Sequence, residues 1–278
     1  MDTEQRHSIA GVLNSIKALG WEPATIVDVG VAMGTEGLYS VWPRARIVLI
    51  DPVEENQIYM DQIKAKYPHV ISLCAAVSNH SGTAVARVNT DLGYAALVPP
   101  GKALAITAKN GLADLCKRVL GRDPKPSASD SSPPQSLEFR KVPITTLDAI
   151  VETHALKCPM IVKIDTDSHE AEILDGGKEC LSRAEICIME ASKLPKKGRI
   201  TFHEIVDKMH EYGLAFYDFA GRSYGTDPEV RPLRLIDLVF AREEGEVFEK
   251  TIARSSKGDK TERRIAQRQA AREDNKYI

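Results

Sequence analysis

Several familiar signals are missing from this sequence, and each absence removes a class of protein. None of the five cysteines (Cys74, Cys116, Cys158, Cys180 and Cys187) stands in a C-x-x-C pair, and their number is odd. Neither a disulfide framework nor a zinc site is expected, so they read as small core residues, and no metal is assigned. No apolar run approaches bilayer length, and the start, M-D-T-E-Q-R-H-S, has no basic segment leading into an apolar one. A chain without a membrane span, located in the cytoplasm, is the expectation. The formal net charge is only -2. A surface built throughout for nucleic acid is therefore not expected, and oligomeric state is left open.

A further absence is more informative. In T-I-V-D-V-G-V-A-M-G-T-E-G, from Thr25 to Gly37, an apolar β-branched run meets three glycines. The run reads as a strand buried on both faces, and the turn as a cradle open to a ligand beside a helix start. The dinucleotide fingerprint G-x-G-x-x-G requires a second glycine where Ala32 stands. What remains is Asp28-x-Gly30-x-x-x-Gly34, which resembles motif I of the class I S-adenosylmethionine-dependent methyltransferases. A tight strand-to-helix turn with no ligand is the alternative.

About twenty residues beyond Gly30, R-I-V-L-I-D-P reads as a second buried strand ending in Asp51. A carboxylate there is placed to accept hydrogen bonds from two ribose hydroxyls, or else to cap the helix expected over Glu54 to Lys66. Val70 to Val77 reads as a third strand, and the turn after it, Ala76 to Asn79, as a base-contact loop in which Ala76 and Val77 are the candidate cofactor contacts. Thr83 to Val88 alternates like an antiparallel strand outside the central sheet.

Three segments lie outside this frame. His7 to Leu19 has helical apolar spacing, and residues 1–24 are taken as a covering helix before a main domain at 25–249. Within that domain, residues 90–140 pass through a helical stretch, Leu104 to Leu120, into a run rich in proline and serine, read as a mobile insertion serving as substrate loop or plain linker. Residues 250–278 form a charged tail with a basic excess, either solvated or bound to an anionic partner.

The second informative stretch is P-M-I-V-K-I-D-T-D-S-H-E-A-E-I-L-D-G-G. It reads as a strand over Met160 to Ile164, a polar turn, and a helix from Glu170 that Gly176 and Gly177 stop. Later elements are a buried strand ending at Glu190, a helix over Phe202 to Tyr212, and two strands, Leu214 to Phe219 and Leu235 to Ala241, that can pair antiparallel. The turn offers Asp165, Asp167 and His169 as candidates for a general base. His169 is favoured because its ordinary pKa lies near neutrality. The spacing of Asp167 and Glu170 also fits a capping box.

Taken together, D-V-G-x-x-x-G, I-D-P-V-E-E-N, A-x-V-S-N-H-S-G, T-L-D, the K-I-D-T-D-S-H-E-A-E-I-L-D-G-G string, I-M-E and D-L-V-F-A-R resemble the FkbM family of methyltransferases. The resemblance runs from about Ile26 to Arg242. It implies an α/β, Rossmann-like class I methyltransferase sheet of seven strands, mostly parallel with an antiparallel C-terminal hairpin and helices on both faces. It further implies S-adenosyl-L-methionine as donor, with a hydroxyl of a sugar, glycan or small molecule as acceptor. Where the family usually has glutamate and glycine, this chain has Asp51 and Ser168. A scaffold or adaptor that keeps the fold without activity, and a nicotinamide oxidoreductase, are the competing expectations.

Overall fold

A computed structural model describes residues 8–89, 93–99, 137–166, 169–192, 200–224 and 233–256. At its centre is β1, Thr25–Val29, all five residues of which are buried. It lies between two parallel neighbours, β2 (Arg46–Ile50) and β8 (Met160–Ile164), with Val27 level with both Val48 and Val162. Strands enclosed this way have no solvent face, which is why their sequences read as continuous apolar runs.

The full sheet adds β3 (Val70–Leu73), β9 (Ile186–Ser192), β10 (Leu214–Tyr224) and β11 (Leu233–Arg242), in the order β10-β11-β9-β8-β1-β2-β3. All pairs are parallel except those made by β11, which runs antiparallel to β9 and β10. The antiparallel pairing of the last two strands is as expected from the sequence.

The two-residue period of the strands sorts the core into two layers. Ile26, Ile47 and Ile161 point to one face, where they join Val12, Leu13 and Ile16 of α1 (Ile9–Lys17), Leu38 and Tyr39 of α2 (Glu36–Tyr39), and Met60 of α3 (Gln57–Lys66). Val27, Val48 and Val162 point to the other, against α4 (Leu147–Thr153), α5 (Glu170–Asp175), α6 (Lys178–Arg183) and α7 (Phe202–Glu211). Helix ends are fixed by side-chain caps, Ser8 for α1 and Thr146 for α4, while Thr201 and Glu204 form a reciprocal capping box on α7. A last helix, α8, spans 246–256, and Val247 at its start packs with the first layer.

The run V-I-S-L-C-A-A-V differs from expectation. It is two strands, because the chain leaves the large sheet after Leu73 and re-forms β4 at Ala76–Val77 in a second sheet. That sheet has the order β4-β7-β5-β6, with β5 at Gly82–Asn89, β6 at Tyr94–Leu97 and β7 at Leu137–Thr145. Its small core contains Val53, Ala76, Ala86, Val88, Val142 and Ile144. The antiparallel segment expected over Thr83 to Val88 is thus found, with Ala86 and Val88 facing inward. Of the stretch read as a mobile insertion, the described ends are strands, and the helical and proline-rich segments lie outside the described residues. Among the described residues, no helix is long and apolar enough to cross a membrane.

Candidate functional site

The strand order reverses at β1, since β2 and β3 lie on one side and β8 and β9 on the other. In open α/β sheets a crevice forms beyond the carboxyl ends of the strands at such a point. Here it is a cleft of about 640 Å³ including its mouth, lined among others by Gly30, Asp51, Ala76, Val77, Asp165 and His169. Six of the nine site residues read from the sequence therefore line this one cleft.

Gly30 is required, for a reason the sequence did not reveal. Its φ is +82°, and a Cβ there would overlap the carbonyl oxygen of Asp165. The glycine lets the turns after β1 and β8 touch, closing the floor of the cleft. Gly34, with φ +99°, packs on Ile63 instead, outside the cleft lining. Ala32 also has positive φ, +46°, and its N–H donates to Asp51 Oδ2 at 2.8 Å.

Asp51 is thereby tied into the cradle. Its Oδ1 accepts from Val53 N–H at 2.9 Å and from Asn56 Nδ2 at 3.0 Å. Burial raises its pKa against the lowering effect of these three donors. The bonds to Val53 and Asn56 hold the 3-10 turn Glu54–Asn56 that leads into α3, but the cap position of that turn is Val53, with no side-chain cap bond, so Asp51 is not the helix cap. Of the roughly four acceptor sites across the two oxygens, the bonds from Ala32, Val53 and Asn56 use three, leaving one on Oδ2. Asn56 also donates to the Gly93 carbonyl oxygen at 2.7 Å, and Arg140 of β7 makes two bonds, 2.9 and 2.7 Å, to Glu55. The second sheet is fastened to the Asp51 turn by both contacts, and Tyr94, Ala95 and Leu97 complete the cleft.

Asp28 sits below the cleft lining. It is fully buried, accepts a hydrogen bond from the Tyr39 hydroxyl, and lies 3.5 Å from Lys163 Nζ. Lys163 is 4% exposed and reaches Asp165 Oδ2 at 2.9 Å. Burial pulls the lysine pKa down, and the charges of Asp28, Asp165 and Asp237 outweigh it, so the net direction is up. Asp237 on β11 is raised, first by burial and then by the charge of Asp165. Lys163, Tyr39, Asn56 and Asp237 were not singled out in the sequence. The signal available for Lys163 was a lysine inside an otherwise apolar strand.

On the other wall, His169 Nε2 lies 3.0 Å from Ser78 Oγ and Nδ1 3.5 Å from Glu172 Oε2. Burial lowers the His169 pKa, partly opposed by Glu172. Burial therefore favours the neutral imidazole. His169 itself occupies the cap position of α5, so the helix starts at Glu170 and not where a box headed by Asp167 would require. Asp167 lies outside the described residues. Gly176, at the far end of α5, packs on the Ser78 carbonyl, which brings the β4 turn and α5 together. Among the described residues, no group of three or more histidine, cysteine or acidic side chains could hold a metal ion.

A family model described as the Methyltransferase FkbM domain matches residues 28–215, which is well over half of the chain. No curated protein matches the sequence. Solved structures are similar at low identity. A DUF574 family protein from Streptomyces avermitilis is 12% identical, with a TM-score of 0.42, covering 86% of this chain and 82% of that one. The 1,6-didemethyltoxoflavin-N1-methyltransferase of Burkholderia thailandensis, solved with 1,6-didemethyltoxoflavin and S-adenosylhomocysteine, is 10% identical, with a TM-score of 0.40 and coverage of 87% and 82%. A SAM-dependent methyltransferase from Agrobacterium tumefaciens is 9% identical at TM-score 0.40; the match covers 87% of this chain and 64%, under two thirds, of its own length.

Proposed function

Because the chain belongs to the FkbM methyltransferase family, we propose that it moves a methyl group from S-adenosylmethionine to a hydroxyl oxygen of a sugar or other small-molecule acceptor. When bound, this donor supplies a methyl carbon made electrophilic by the adjacent sulfonium. The cleft residues fit its adenosyl part. Asp51 has one acceptor site left, on Oδ2, for a ribose hydroxyl, and Pro52, Ala75, Ala76 and Val77 offer an apolar slot to a base.

The remaining work falls to positioning and to one proton. Alignment of acceptor and donor in a fixed cleft can contribute several kcal/mol, up to about 7–11 kcal/mol in well-oriented systems. His169 takes the hydroxyl proton. Glu172 beside Nδ1 favours the tautomer with its proton there, leaving Nε2 as the basic atom, held by the Ser78 hydroxyl until an acceptor arrives. The observation that carries the reading is that Asp51 and His169 line one cleft at the reversal of strand order.

The nicotinamide alternative gives way to the family assignment, and the backbone N–H at Ala32 is in any case committed to Asp51. The test is incubation with methyl-labelled S-adenosylmethionine and a panel of polyols, sugars and phenols, with products resolved by mass spectrometry. An O-methylated product supports the proposal. Label transferred only to nitrogen, or bound donor with no transfer to any panel member, counts against oxygen as the acceptor atom.

A further inference from the structure

Lys163 stands where a side chain should be apolar. It is on β8, level with Asp28 on β1, and shares its face of the sheet with Ile26, Ile47 and Ile161. A buried ammonium is costly unless paired, and a buried ion pair as such is seldom better for stability than an apolar pair of the same volume. Stability alone therefore gives no reason for a lysine here.

Its two carboxylate neighbours differ. Asp28 is 3.5 Å away, completely buried, and held in turn by Tyr39. Asp165 is 2.9 Å away, its side chain is 40% exposed, and it lines the cleft. The lysine thus links the core of the donor strand to the rim of the site, with its shorter contact on the rim side. Asp237, from β11, is the third charge acting on it.

We propose that Lys163 is the positioning residue of the donor site, anchored on Asp28 and holding the Asp165 carboxylate where it meets the cationic methionyl end of the methyl donor. This rests on the reading that the cleft binds S-adenosylmethionine. Asp165 touches the ligand, while Lys163 acts only through Asp165. Loss of the lysine and loss of the carboxylate are therefore the same lesion seen from two ends.

The test is calorimetric binding of S-adenosylhomocysteine, which keeps the methionyl ammonium, to the full chain and its variants. Asp165→Asn weakens binding by about tenfold, the value of one charge-assisted contact. The double variant Asp28→Asn/Lys163→Met, which removes both buried charges together, weakens it by a similar factor while melting cooperatively. Adding Asp165→Asn to that double variant costs nothing further. An unchanged affinity in the double variant, or losses that multiply to about a hundredfold, overturns the proposal, because independent sites add in free energy.

Should the double variant not melt cooperatively, Lys163→Gln carries the comparison. It weakens binding in the native background and leaves the Asp165→Asn background unchanged, whereas equal losses in both, or none in either, overturn the proposal. A native chain that binds no S-adenosylhomocysteine overturns the donor reading itself, and this inference with it, and is told apart by needing no variant.

Discussion

The carbonyl oxygen of Asp165 occupies the space in which a side chain at Gly30 would begin. The two residues end adjacent parallel strands, and their contact closes the floor of the cleft that both of them line. A glycine that reads in sequence as room for a ligand is, in three dimensions, room for another turn of the same chain.

Gly30→Ala is therefore expected to be severe. The new methyl meets backbone, which cannot swing aside, and the residue has positive φ besides, a strain of about 1–3 kcal/mol before the clash is counted. Gly34→Ala shares the positive-φ strain, but its methyl overlaps only the end of the Ile63 side chain, which can shift, and touches Tyr39 at ordinary contact distance. Thermal melting should show Gly30→Ala as clearly the more destabilised of the two, with donor binding lost along with it.

Asp51→Asn should weaken S-adenosylmethionine binding by about tenfold or more. An amide offers one acceptor where the carboxylate offers two, and turns a donor toward either the Ala32 N–H or the N–H groups of Val53 and Asn56. Acid should mimic the substitution. Burial raises the Asp51 pKa, so protonation begins above the ordinary aspartate range. As pH falls, binding in the native protein should decline earlier than a free aspartate would dictate, and the Asp51→Asn variant should lack that component. Calorimetry at stepped pH reads both.

His169 carries a pH signature in stability. Its folded pKa is depressed by burial below its unfolded value, so the folded state binds fewer protons in that window. The stabilising contribution is fully present above the unfolded pKa of about 6.5 and is lost as pH falls through the depressed value. Between pH 7.5 and pH 5, the native protein should lose more melting temperature than His169→Gln does. Equal losses would contradict a half-buried imidazole that burial keeps neutral.

Native thiol labelling should distinguish the cysteines of the described residues. Cys74 and Cys158 are exposed, whereas Cys180 and Cys187 are buried. Burial pushes the Cys180 thiol up to about 12 and Cys187 higher still. The latter pair should react with a thiol reagent only after unfolding, since the thiolate is the reactive form.

What could be read from the sequence follows a physical line. Met160–Ile164 was legible to the residue because an apolar run bounded by proline and aspartate has one reading. The departure of the chain at Cys74 and Ala75 was not, because V-I-S-L-C-A-A-V holds no glycine or proline to mark it. What splits that run is pairing with β7, a partner remote in sequence. Asp51 and His169 were found from residue type and spacing, and both line the cleft. Asp28 was also singled out, but its position beneath the lining depends on Tyr39 and Lys163, whose contacts with it no local pattern announces.

Titration of the full chain with S-adenosylmethionine in a calorimeter tests the central claim most directly. Saturable binding at one site per chain, weakened by Asp51→Asn while the variant still melts cooperatively, is the predicted result. A cooperatively folded native chain that takes up no heat from the donor, or one whose affinity ignores Asp51, would contradict the account.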